Sequence, residues 1–153
     1  GHKYAAGGSI KEENLKGFID HFESYVKSAV DNKMFVKTLG YDIEINLADI
    51  NEENFKILSR MSPFGNSNYK PIFRTNNCCL AGNLKLMGKE KNHIKFQITD
   101  STDHKIQALG FNMPEHYEQI NNKEKFDILY TISRNTFNNS SLLELNIKAI
   151  SFK

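Results

Sequence analysis

The chain has 153 residues, 39% of them hydrophobic and 25% charged, and a formal net charge of +2. That suits one full domain or two small ones with a modest core, and it excludes a low-complexity tail. The charge is too small to argue for nucleic acid unless basic residues are concentrated locally, and no apolar run approaches the ~20 residues of a membrane span, so no membrane partner is expected.

The first residues, Gly1-His2-Lys3-Tyr4-Ala5-Ala6-Gly7-Gly8, open without Met or leader and read as the inside of a motif, as in an excised segment. A histidine between a glycine and a small-residue run can meet a phosphate, because the backbone there comes close to a ligand. On spacing alone, a turn histidine or a tag remnant explains His2 better.

From Glu12 to Val30 the apolar residues Leu15, Phe18, Ile19, Phe22, Tyr25, Val26 and Ala29 fall on one face of an amphipathic helix. Ser9 and Glu12 fit a capping box at its start. Tyr41, Ile43, Ile45 and Leu47 alternate with polar residues, which predicts a half-buried strand. Asp49 and Glu52 suggest a second cap, followed by a short helix lined by Phe55, Leu58 and Met61 and stopped by Pro63.

The stretch from Ser62 to Pro71 is dense in turn formers. Beyond it, Leu80, Leu84 and Leu86 share a face of one strand, Ile94, Phe96 and Ile98 of the next, and Ile106 and Ala108 of a third. Pro114 to Ile120 reads as one or two helical turns. Phe126, Ile128, Tyr130 and Ile132 give a fourth strand, and Leu143, Leu145, Ile147 and Ala149 a fifth. Three strands, a short helix and two strands is the order of an OB-fold, a five-stranded, partly open barrel. The fold class expected is therefore α+β, a helix–strand–helix segment followed by that barrel. Barrels of this kind bind oligonucleotides, sugars and proteins alike.

Adjacent Cys78 and Cys79 point to opposite faces of a strand and cannot bridge each other. With no Cys/His spacing for zinc, a reduced intracellular protein is expected, cytoplasmic by location. Asp100-Ser101-Thr102-Asp103-His104 imitates a metal site, but it lies between two alternating strands, where Asp, Ser and Thr are turn chemistry.

Several segments carry a family resemblance. Gly1-His2-Lys3-Tyr4-Ala5-Ala6-Gly7 resembles the Gly-Gly-His-x-x-Ala-Ala-Gly motif of the DHH-associated domain in RecJ-type nucleases, and Asn14-Leu15 and Phe18 resemble the helix after it. Pro63-Phe64-Gly65, Asn68 and Pro71-Ile72-Phe73 resemble that family's link into its OB domain. Ala81-Gly82-Asn83-Leu84-Lys85-Leu86 and Ile106-Gln107-Ala108-Leu109-Gly110-Phe111 resemble the domain's opening and middle strands. The matches run in order along nearly the whole chain. One departure is Gly65-Asn66-Ser67-Asn68, where many members carry a second glycine before the Asn.

The resemblance implies that residues 1–36 end a DHH-associated, substrate-binding domain, that 37–75 connect, and that 76–153 form the OB domain. It implies the single-stranded-DNA-binding C-terminal region of a 5'-to-3' single-strand-specific exonuclease of DNA repair and recombination. The chemistry would lie in an N-terminal Asp-His-His domain that this sequence lacks, where manganese or magnesium activates water. No cofactor is expected in the fragment itself. Single-stranded DNA is the implied partner, with a single-strand-binding protein or a helicase as further ones, and Gly1 and His2 are implied substrate contacts.

OB-folds grip single strands with a basic groove and stacking aromatics. The loop Gly88-Lys89-Glu90-Lys91-Asn92 and the stretch Arg134 to Ser140 correspond to the loops that line such grooves. Lys89, Lys91 and Arg134 are candidate phosphate contacts, and Phe137 is a candidate stacking residue that equally fits a hydrophobic plug under its hairpin. Lys85, Lys95, Gln97 and Lys105 fall on the outward parity of their strands; a solvated face explains each lysine about as well as a ligand does. A free-standing OB module for single-stranded DNA or RNA, and a protein-interaction barrel, remain as alternatives.

Overall fold

The computed structural model describes residues 4–31, 38–122, 124–136 and 141–153. Gly1, His2 and Phe137, three of the candidate ligand contacts, lie outside the described residues. The chain divides into two compact units, Gly1–Thr38 and Leu39–Lys153.

In the first unit the apolar periodicity gives helix α1 (Glu12–Ala29). Phe18 and Phe22, one turn apart, stack with ring centroids 5.8 Å apart. None of its residues is buried. The expected Ser9 cap is not used: Lys11 is the N-cap and makes no side-chain cap bond. Glu12 and Glu13 stand in the first turn instead, where the helix dipole favours negative charge.

In the second unit the expected strand from Tyr41 to Leu47 shrinks to β1 (Ile43–Glu44), paired in parallel with β2 (Phe73–Leu80). As the end strand of the sheet it has a neighbour on one side only, and the chain then turns at Leu47–Asp49 to bury Leu47. Asp49 does not cap the following helix. Its carboxylate accepts the Asn46 N–H at 3.0 Å, and Asn51 caps α2 (Glu52–Ser59) by accepting the Asn54 N–H at 2.9 Å. In the turn-rich link, the Asn68 side chain donates to the carbonyls of Met61 and Pro63 at 3.0 and 2.8 Å, fastening the turn to the end of α2.

The remaining strands are β3 (Lys85–Met87), β4 (His93–Thr99), β5 (Lys105–Phe111), β6 (Phe126–Asn135) and β7 (Leu142–Phe152), with α3 (Tyr117–Asn121) between β5 and β6. The sheet has seven strands rather than the five expected. β1 is an addition at its end. β2 and β3 are one OB strand interrupted at 81–84, since both pair with β4. Counted so, each strand pairs with the next through β4, β5, β7 and β6, and β6 returns to β2. The β5–β7 step is parallel and the others antiparallel. This ring is the OB barrel.

The interruption explains why sequence alternation ran straight through it. From Leu80↔Ile98 to Lys85↔Lys95 one strand advances five residues and its partner three. An insertion of two keeps the parity, so Leu80, Leu84 and Leu86 still share a face.

Most inward residues are those the alternation predicts: Ile94, Phe96, Ile98, Ala108, Phe126, Ile128, Tyr130 and Leu145 are buried, as is Ile120 of α3. Ala149, expected on the inward face of the last strand, is the exception: a register shift between Leu129 and Tyr130 sets it opposite Leu129 and turns Ile150 and Phe152 to the core. Leu47 and Ile50 join this core from the segment before the link, which is why that segment belongs to the same unit as the barrel.

Candidate nucleic-acid interface

Because Ile94, Phe96 and Ile98 point inward, His93, Lys95 and Gln97 of β4 point outward, as do Lys105, Gln107, Leu109 and Phe111 of β5. Strand register orders these side chains into rows across the barrel. Lys85, Lys95, Leu109 and Asn146 form one row; Gln97, Gln107 and Glu144 form the next. Lys105 stands opposite Thr99 at the end of the face.

A groove of about 570 Å³ lies on this face, lined in part by Lys95, Gln97, His104, Lys105, Gln107 and Glu144. Its polar floor is ordered. Gln107 donates to the Phe96 carbonyl at 2.5 Å, and Asn135 donates to the Glu144 carboxylate at 3.0 Å. Gln107 and His104 were missed as candidates from the sequence, although Gln107 shares the parity of Lys105. Glu144 comes from β7, a strand whose neighbour cannot be read from local pattern.

Lys85 and Lys95 sit directly opposite each other on an antiparallel pair. Like charges so placed are destabilising. Among the described residues neither has a carboxylate partner. Lys89 and Lys91 are exposed on the loop that closes one end of the face. That loop is shaped by Gly88 at φ 89° and Lys91 at φ 53°, and it is tied to the β5 end by an Asn92–Asn112 hydrogen bond of 3.3 Å.

Arg134 is placed differently from the expectation. Its guanidinium pairs with Glu52 of α2 at 2.6 Å, donates to Ser141 at 2.8 Å and lies over the Phe55 ring at 4.9 Å. The end of β6 is thereby fastened to α2, and Arg134 is not among the groove residues.

The acidic turn after β4 is structural. Asp100 is buried and accepts the Leu47 N–H at 2.7 Å and the Thr102 N–H at 2.9 Å. Burial acts to raise its carboxyl, but the bonds from the Thr102 hydroxyl and from these amides outweigh it, and the net shift is downward. Among the described residues no group of three His, Cys, Asp or Glu side chains converges to hold a metal ion. Burial pushes the Cys78 thiol up to about 12, with smaller contributions from the nearby acidic groups. No helix among the described residues is long and apolar enough to cross a membrane.

Comparison with known proteins gives consistent matches. Residues 41–149 match the family model described as the RecJ OB domain. The chain is 27% identical over 148 residues to the single-stranded-DNA-specific exonuclease RecJ of Bacillus subtilis, covering 97% of this chain and 19% of that protein. It is 25% identical over 157 residues to RecJ of Haemophilus influenzae, covering 98% of this chain and 26% of the relative. Its structure resembles that of RecJ from Thermus thermophilus in complex with Mn2+, with a TM-score of 0.72 at 18% identity over 99% of this chain and 21% of that one. The same protein's Mg2+ complex matches with a TM-score of 0.63 at 14% identity over 93% of this chain and 21% of that one. The chain thus spans about a fifth to a quarter of the relatives it matches.

Proposed function

The chain belongs to the RecJ OB domain family, and on that premise we propose that it is the DNA-gripping region of a single-strand-specific exonuclease acting in repair and recombination. The observation that carries the reading is the register pair of Lys85 on β3 and Lys95 on β4, neither with a carboxylate partner among the described residues, on an outward face that has Lys105 at its far end. Folding gains nothing from like charges at directly opposite positions of an antiparallel pair, whereas a phosphate chain is attracted to both. The polar floor between the lysines suits a backbone and base edges of varying sequence.

Residues 1–36 are proposed as the end of the DHH-associated domain and 76–153 as the OB domain, with the strand–helix segment between them. Gly1 and His2 would hold the substrate near chemistry done elsewhere. Manganese or magnesium, named with the Thermus protein, would act in a catalytic domain and not on the residues described here. A cytoplasmic location, and contact with a single-strand-binding protein or helicase, belong to the same reading.

The test is a titration of a labelled oligothymidine and a matched duplex, read by fluorescence anisotropy at several salt concentrations. Tighter, salt-sensitive binding of the single strand is expected, because a duplex presents no unstacked bases. Equal affinity for both, or salt-independent capture of a protein partner instead, would leave the barrel as a scaffold or a protein-interaction module.

A further inference from the structure

At the end of the outward face closed by the 88–92 loop, Phe111 pairs in register with His93, and His93 with Met87. Phe111 ends β5 on the outward parity and is 52% exposed, although it is a large apolar ring on a strand. Its ring meets His93 edge-on, with centroids 5.2 Å apart and planes at 69°.

His93 is itself held. Its Nδ1 accepts the Asn112 N–H at 3.0 Å, which leaves Nε2 as the protonated nitrogen of the neutral ring. The Gly88 backbone lies against the other edge of the imidazole, where a Cβ would stand 3.4 Å from Cδ2 and 3.7 Å from Nε2. His93 is therefore held on both sides as a brace for Phe111, and about half of the Phe111 side chain stays exposed.

Charge surrounds that face. Lys95 follows His93 by two residues, roughly 7 Å along the strand, and Lys85 stands across from it. Lys89 and Lys91 are exposed on the adjacent loop, where Glu90 is the single acid. An exposed ring in this setting fits a planar, electron-rich group carried on an anionic backbone.

We propose that Phe111, braced by His93, is the base-stacking platform of this barrel, with Lys85, Lys95, Lys89 and Lys91 holding the phosphates on either side. The proposal rests on the single-strand-binding reading above and names the residue at which a base docks. It places the stacking contact at the 88–92 end of the face.

The experiment compares a labelled oligothymidine with an abasic sugar-phosphate strand of equal length and charge, for the wild-type chain and for Phe111→Ala, Phe111→Leu and Phe111→Tyr. Thermal unfolding is followed in parallel. Phe111→Ala and Phe111→Leu should weaken oligothymidine binding about tenfold while changing the abasic strand by less than about twofold, and Phe111→Tyr should bind as wild type. Unchanged oligothymidine binding by Phe111→Ala overturns the platform and leaves the barrel's binding role standing. An equal loss for both strands also overturns it, since a stacking contact cannot act on a strand without bases. If the wild-type chain binds neither strand, the single-strand reading falls and the platform falls with it.

Discussion

At the residue scale, two buried polar groups join the segment before the barrel to the barrel itself. Asp100 takes the Leu47 N–H, and its carboxyl is shifted below the ordinary range of about 3.9. A depressed carboxylate contributes stability that is present above the ordinary value and is lost as pH falls through the folded one. Asp100→Asn should therefore lower the urea midpoint at pH 7, and the gap to wild type should narrow as pH falls below the ordinary carboxylate value; a gap of equal size at neutral and acid pH would show that the charge is not what stabilises. The second group is a chain of hydroxyls: Tyr130 donates to Thr75 at 2.9 Å, and Thr75 donates to the Ile45 carbonyl at 2.8 Å. Thr75→Val keeps the shape but strands both partners in the core, at a cost of about 1–3 kcal/mol, whereas Tyr130→Phe removes one end and costs about 1 kcal/mol. Denaturant unfolding of the two variants measures the difference; equal costs would mean that the bonds act singly.

At the element scale, β4 and β5 carry the outward face, and their pairing depends on a close approach. A Cβ on Gly110 would stand 2.8 Å from Cγ1 and 3.1 Å from Cδ1 of its partner Ile94, which is fully buried and has little room to yield. Gly110→Ala is expected to cost about 1–3 kcal/mol by overpacking, read as a fall in the denaturation midpoint. Because the strain falls between Lys95 and Phe111, oligothymidine binding should weaken with it; a variant of wild-type stability would show that the two strands slide apart freely. α2 acts at the other end of the barrel. Its Glu52 and Phe55 hold Arg134, so the end of β6 is anchored from outside the sheet.

At the scale of the whole molecule, the lysines available to phosphates are those on one face. Three or four simultaneous contacts from Lys85, Lys95, Lys105 and the 88–92 loop imply a log–log salt slope of roughly −2 to −3 for a single strand. Removing Lys85 and Lys95 together should flatten that slope by about 1 or more. Arg134→Ala should leave it unchanged, because that guanidinium is spent on Glu52; a flatter slope there would return Arg134 to the binding surface. The two compact units allow a further expectation. Among the described residues, every buried one lies in Leu39–Lys153, so a chain starting at Leu39 should unfold cooperatively at a temperature close to that of the full chain, checked by circular dichroism. Loss of the transition would mean that the core needs residues before Leu39.

Periodicity alone determined most of the inward residues of the barrel strands, though not those of the strand at Tyr41, where Tyr41 and Ile43 are exposed. Ile94, Phe96, Ile98, Phe126, Ile128, Tyr130 and Leu145 are read from alternation because a strand's two faces are fixed by its own backbone. The outward lysines followed from the same parity, and the ordered matches to the RecJ type carried the family. What alternation cannot carry is the identity of neighbours. Only the folded barrel decided that Lys85 faces Lys95, that Glu144 closes a groove made by β4 and β5, and that Phe111 meets His93. Only it decided that Arg134 turns to α2, that Asn51 rather than Asp49 caps that helix, and that the strand at Tyr41 stops after two paired residues. Each of these is settled by competition among partners distant in sequence, and a local pattern holds no information about who the competitors are.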